Sequence, residues 1–250
     1  NEFYRRAWLE DTETYLQYAL KDVELIVEID ETNYCSEAIL SLQRLLKAPF
    51  DACFYASHMG SIYFMRNAKW KAPTGNKKAE KKSYKGAMIY DPLSENTNGL
   101  HVNVAAFDYA GLYPAMMIAR NISFETKSSE PTEFGVNILT PRDFSEVTEV
   151  DMLYYKTDEL GLLPKSVLEL KALRNEYKRL MREARESNNE SEYVKWYNNQ
   201  MAVKRLMASF YGIIGYTGFA WADVDLAASI TASAREAIRL AAFKAKEMEV

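Results

Sequence analysis

The chain has 250 residues, 48% of them apolar and 13% aromatic, enough to bury a sizeable core. Thirty-one basic against 35 acidic residues leave a net charge of −4, which excludes a uniformly basic nucleic-acid coat and confines any such surface to a patch. The cysteines, Cys35 and Cys53, are too few for a disulfide framework and lack metal-site spacing, and no apolar run approaches the roughly 18 residues of a membrane span. A cytoplasmic, non-secreted setting with no membrane partner is therefore expected.

Residues 1–70 read as helices, with Leu16, Ala19, Leu20, Val23 and Ile26 on one face. Within them Tyr18 and Asp22 form a Tyr-x-x-x-Asp pattern, which taken alone reads as a solvated helix acid. From Arg66 to Lys85 positive charge dominates, through Lys69, Lys71, Lys77, Lys78, Lys81 and Lys82. Such a run is a solvated loop or, with Tyr84 and Gly86 at its end, a loop that follows a phosphate backbone, where lysines neutralise charge and glycine admits close approach. His58 and His101 are isolated and read as structural.

Leu100, Val102 and Val104 alternate with His101 and Asn103, the period of a half-buried strand, and the apolar run stops at Asp108. Gly111 permits a tight turn and Pro114 suits a first helical position, so the segment reads strand, turn, short helix. Asp108 is then either a turn or capping acid, or a carboxylate that holds a metal beside free backbone amides facing a phosphate. Residues 122–164 read as strands and loops completing a sheet around the Asp108 hairpin, with turn formers at Pro131, Pro141 and Gly161 to Pro164.

Residues 166–186 read as a helix with Leu173, Tyr177, Leu180, Met181 and Ala184 on one side and Lys171, Arg174, Lys178, Arg182 and Arg185 on the other. Composition alone makes that cationic stripe a solvated face. After a break at 186–190, a second helix runs from about Glu192 to Gly212, and the two form an antiparallel hairpin. Gln200, Lys204, Ala208 and Tyr211 line one face of it, with Val203, Met207 and Phe210 turned inward. A last helix is expected over 226–248.

Five of these segments carry a family resemblance. Asp108-Tyr-Ala-Gly-Leu-Tyr-Pro-Ala-Met-Met resembles motif A of the family B DNA polymerases, Asp-x-x-Ser-Leu-Tyr-Pro-Ser-Ile-Ile, with Asn121 and Thr126 at the usual distance. Tyr84-Lys-Gly86-Ala87 resembles the Tyr-x-Gly-Gly element that precedes it. Arg174-Asn-Glu-Tyr-Lys178 resembles the Arg-x-x-x-Lys of the fingers helix. Gln200-Met-Ala-Val-Lys204-Arg-Leu-Met-Ala208-Ser-Phe-Tyr211-Gly212 resembles motif B, Lys-x-x-x-Asn-Ser-x-Tyr-Gly. The Tyr18 to Asp22 pattern resembles the third motif of the associated 3′–5′ exonuclease. Three positions depart from the family: Gly111 for Ser, Ala87 for Gly and Ala208 for Asn.

The resemblance, closest to archaeal and viral forms, implies an α+β, helix-rich fold: a partial polymerase palm with an antiparallel two-helix fingers hairpin. Residues 1–70 would be the end of the exonuclease domain and a connector, 71–165 the first part of the palm, 166–212 the fingers and 213–250 a second part of the palm. It implies template-directed DNA synthesis with two Mg²⁺ ions, primer–template DNA and a dNTP as partners. Asp108 would be catalytic and, with the Tyr109 carbonyl, metal-binding. Gly111, Leu112, Tyr113, Arg174, Lys178, Lys204, Ala208 and Tyr211 would face the nucleotide, with Tyr113 excluding a 2′-hydroxyl, and Tyr84, Lys85, Gly86 and Gly212 would face the DNA. The second metal-binding acid and the thumb would come from the remainder of the polymerase, on the same or another chain, so the 250 residues alone are expected to be inactive. The alternative is a non-catalytic scaffold that grips primer–template.

Overall fold

In the computed structural model, which describes residues 2–70, 83–88, 104, 108–143 and 145–247, helices open the chain: α1 (Glu2–Glu10), α2 (Thr12–Asn33), α3 (Cys35–Leu46) and α4 (Ala56–Asn67). The Asp11 carboxylate accepts a bond from the Thr14 N–H at 3.1 Å, which ends α1 and starts α2. Tyr34 and Lys47, both left-handed with φ of 53° and 47°, close α2 and α3. The last carbonyls of α3 are taken by Arg66, which donates to Leu46 and, at 2.7 Å, to Lys47. Arg66 is thus a helix-capping residue on α4 and not the head of a phosphate-binding loop. The cations Lys71, Lys77, Lys78, Lys81 and Lys82 lie outside the described residues.

α5 (Leu112–Ala119) follows, and then a small antiparallel sheet of β1 (Lys127–Ser128), β2 (Phe134–Asn137) and β3 (Met152–Tyr155) in the order β1-β3-β2. Tyr155 stands opposite both Lys127 and Phe134. Three long helices complete the chain: α6 (Leu162–Glu186), α7 (Glu190–Ile214) and α8 (Val224–Glu247). α6 and α7 form the foreseen antiparallel hairpin. Its turn uses Asn188 at φ 53° and Asn189, whose side chain accepts from the Glu192 N–H.

The core lies where α4, α7 and the 219–221 loop meet. Phe64, fully buried, has its ring 4.9 Å from Phe210, 5.9 Å from Trp221 and 5.9 Å from Phe124. The α4 backbone comes so close to the Ile213 side chain at Gly60 that a Cβ there would have to displace it. α5 packs against α6, α7 and α8, so the segment that begins at Asp108 is seated between the hairpin and the last helix.

Three expectations are altered. Pro114 is the third residue of α5 and not the first, a position that equally lacks an intrahelical N–H partner. α6 begins at Leu162, earlier than 166, and α7 spans 190–214. The face of α2 marked by Leu16, Leu20, Val23 and Ile26 is exposed, and no residue of α2 is buried. The residues 100–107, read from the sequence as a strand, lie outside the described residues apart from Val104, so the sheet is described from 127 onward.

Candidate active site

Gly111, at φ +76°, turns the chain into α5 and leaves Asp108, Tyr109 and Ala110 exposed at the turn. No Cβ-bearing residue adopts that φ without strain, so glycine is the economical choice at this corner. Both ends of α5 are fastened to α8, the turn before it through Tyr109 and the residue after it through Arg120. The Tyr109 hydroxyl donates to the Ala237 carbonyl at 3.0 Å, and Arg120 pairs with Glu236 at 3.0 Å.

The second residue of α5, Tyr113, lies against Tyr211 of α7, with ring centroids 4.2 Å apart and planes 32° from parallel. Tyr84 joins them, its hydroxyl 3.4 Å from that of Tyr211 and 2.6 Å from where a Cβ on Gly215 would stand. Burial, reinforced by Tyr84, pushes the Tyr113 and Tyr211 phenols above their ordinary pKa. Three sequence elements expected to share a site, separated by up to 127 residues, thus meet in one aromatic group.

On the hairpin, the Arg174 Nε donates to the buried Gln200 amide oxygen at 3.2 Å, which puts residues 174 and 200 at one level. Because the helices run antiparallel, Lys178 is one turn nearer the tip and Lys204 one turn nearer α5. The three cations therefore spread along about 12 Å of hairpin. Lys178, Lys204 and Ala208 are exposed, and none of the three cations has an ion-pair partner among the described residues. Arg179, by contrast, is committed to Glu176 and Glu183, and Lys195 to Glu192. Near the end of α7, Gly212 has nothing within 4 Å of where its Cβ would stand, so open space lies beside that backbone.

The residues that seat α6 were not foreseen as a set. The first three amides of its N-terminal turn are taken by the segment after α5: Gly161 N–H by the Asn121 side-chain oxygen at 2.8 Å, Leu162 N–H by the Glu125 carboxylate and Leu163 N–H by the Ser123 hydroxyl at 3.1 Å. Asn121, left-handed at φ 50°, also donates to the carbonyls of Lys156 and Glu159. Thr126 bonds back to the Asn121 carbonyl at 2.6 Å. The Asn121 and Thr126 positions are thus structural, joining α5 to the root of the hairpin.

Tyr18 and Asp22 stand apart from this site, exposed on α2, which packs on α1 and α3. Among the described residues no three His, Cys, Asp or Glu side chains come together as a metal site. Asp108 alone offers one hard oxygen ligand, a partial fit to Mg²⁺, which asks for a nearly octahedral oxygen shell.

A model of DNA polymerase family B matches residues 59–248. The chain belongs to DNA polymerase family B. A DNA polymerase of Pyrococcus glycovorans is 27% identical over 247 residues, covering 95% of this chain and 29% of that protein. One from Archaeoglobus fulgidus is 33% identical over 177 residues, 71% of this chain and 20% of the relative, and one from Paramecium bursaria Chlorella virus NY2A is 25% identical over 243 residues. The family B DNA polymerase structure from Pyrobaculum calidifontis shares the fold, with a TM-score of 0.70 at 23% identity, over 94% of this chain and 29% of that one. The chain therefore spans less than a third of the length of these family B relatives. Among the described residues no helix is long and apolar enough to cross a membrane.

Proposed function

We propose that this chain is the nucleotide-binding part of a DNA-directed DNA polymerase, with 71–165 and 213–250 as palm, 166–212 as fingers and 1–70 as the end of an exonuclease domain with its connector. In the reaction a primer 3′-hydroxyl attacks the α-phosphorus of a dNTP in line, a P–O bond forms, the bond to the β-phosphate oxygen breaks and pyrophosphate leaves. The observation that carries the reading is the Tyr113–Tyr211 contact, which brings the end of α7 over the turn that bears Asp108.

On this reading Arg174, Lys178 and Lys204 meet the triphosphate from the hairpin, Arg by its planar fork and the lysines as point charges. The amides of Gly111 and Leu112 meet it from the α5 side, where a helix start favours an anion. Tyr113 lies under the sugar and excludes a 2′-hydroxyl, Tyr211 and Ala208 border the incoming base, and Gly212 allows the nascent pair to approach. Tyr84, Lys85 and Gly86 touch the template backbone. Asp108 and the Tyr109 carbonyl would hold Mg²⁺ together with a further acid from the remainder of the polymerase, and the ions would supply charge stabilisation to the attacking and leaving oxygens. Asp22, with Tyr18 beside it, belongs to a 3′–5′ exonuclease whose other acids lie elsewhere. Free Cys35 and Cys53 suit a cytoplasmic setting.

The test is Asp108→Asn in the longer polymerase. Since Asp108 is exposed, thermal stability should change by less than about 0.5 kcal/mol. Primer extension should fall by about a thousandfold or more, with primer–template affinity retained. Extension at the parental rate would remove Asp108 from the chemistry, whereas a longer protein that grips primer–template but extends no primer even with Asp108 in place would favour the scaffold reading.

A further inference from the structure

A guanidinium with no carboxylate partner among the described residues lies deep in the molecule. Arg235, on α8, is fully buried, and all three of its nitrogens donate to backbone carbonyls. Nε reaches Thr140 at 2.9 Å, Nη2 reaches Ile138 at 3.1 Å, and Nη1 reaches Lys85 at 2.8 Å and Gly86 at 2.7 Å. Thr231, one turn earlier, donates its hydroxyl to the same Lys85 carbonyl at 2.8 Å. Burial, and then the charge of Arg142, lower the Arg235 pKa, so only oriented carbonyl dipoles hold this cation in place. The guanidinium is the shared donor for four carbonyls of two separate segments, so what it contributes at this place is to hold those segments against each other.

The fork grips two segments far apart in sequence, 85–86 and 138–140. Tyr84 immediately precedes the gripped carbonyls, and its hydroxyl stands 3.4 Å from that of Tyr211. Tyr211 in turn lies on Tyr113. A continuous series of contacts therefore runs from the guanidinium through a clamped loop to the ring under the proposed sugar position.

We propose that Arg235 is the positioning residue for Tyr113, acting through Tyr84 and Tyr211, so that selection against a ribonucleotide depends on its clasp of the Lys85 and Gly86 carbonyls. This rests on the Tyr113 role proposed above. Arg235 itself touches no nucleotide. Lysine cannot substitute, because an ammonium is a point donor without the planar spread to reach both segments.

The test measures, in the longer polymerase, the ratio of kcat/KM for dNTP over the matching rNTP. The variants are Arg235→Lys and Tyr84→Phe, each alone and combined with Tyr113→Ala. The ratio cancels any loss of folded enzyme, since both substrates meet the same active fraction. Each variant is expected to lower the ratio by about fivefold or more with Tyr113 present, and by less than about twofold in the Tyr113→Ala background. No change with Arg235→Lys, or an equal fall in both backgrounds, overturns the proposal. If Tyr113→Ala alone leaves the ratio unchanged, the sugar-selection reading fails instead, and ultraviolet titration of tyrosines in the 250-residue chain decides the clasp separately. Arg235→Lys should then shift phenolate formation, because burial and Tyr84 raise the Tyr113 and Tyr211 pKa while the Arg235 charge lowers it, and an unchanged titration overturns the coupling.

Discussion

Gly212→Ala separates what the fold requires from what the proposed function requires. Gly212 sits in the last turn of α7, and an added methyl meets nothing within 4 Å. Alanine removes the entropy that a helical glycine loses on folding, a gain of about 0.5–1 kcal/mol. At roughly 2–4 °C per kcal/mol for a domain of this size, the melting temperature of the 250-residue chain should rise by about 1–4 °C by calorimetry. The same methyl would enter the space assigned to the nascent base pair. Primer extension by the longer enzyme should therefore fall by about tenfold, equivalent to about 1.4 kcal/mol of transition-state destabilisation. A lower melting temperature would refute the packing argument, and full extension activity would refute the assignment of that space.

Phe64→Ala should cost about 3–5 kcal/mol, because the ring is fully buried against Phe210, Phe124 and Trp221. A loss under 1 kcal/mol in urea unfolding would mean the core closes without it. Alkaline pH should destabilise the fold through Tyr155, whose phenol is fully buried and donates to Ser229 at 2.7 Å. Burial raises its pKa above the unfolded value of about 10, so its contribution is intact below that pH and is lost as pH rises further, at about 1.4 kcal/mol per unit. Tyr155→Phe should flatten that decline, and an unchanged slope would show that another group is responsible. The 250 residues alone, given Mg²⁺, dNTPs and a primer–template, should extend no primer; measurable extension would mean that Asp108 needs no further acid.

The long helices α6, α7 and α8 were legible because their apolar residues recur at helical spacing, and the break at 186–190 marked the hairpin turn. The start of α6 was not. Leu162-Leu163-Pro164 reads locally as a turn, and the groups that make it helical come from Asn121, Ser123 and Glu125, some 40 residues earlier. Periodicity likewise identified α2 as a helix without revealing that its apolar face is exposed, because spacing reports local geometry and not what covers it. Within the site, Tyr84, Tyr113 and Tyr211 were foreseen singly through the family resemblance, whereas their contact is a tertiary fact. Arg235 was overlooked, although a lone cation among the small residues of 227–234 was a signal that something polar had to be met inside.

The rooting of α6 in the segment after α5 has a mechanical consequence. A 25-residue helix is a lever about 37 Å long, so a tilt of about 10° at Gly161 swings its tip by roughly 6 Å. Its fulcrum is the Asn121 clamp, directly behind the helix that carries Tyr113. A displacement of that helix that tilted α6 at Gly161 would thereby be magnified at the far end of the cationic arm.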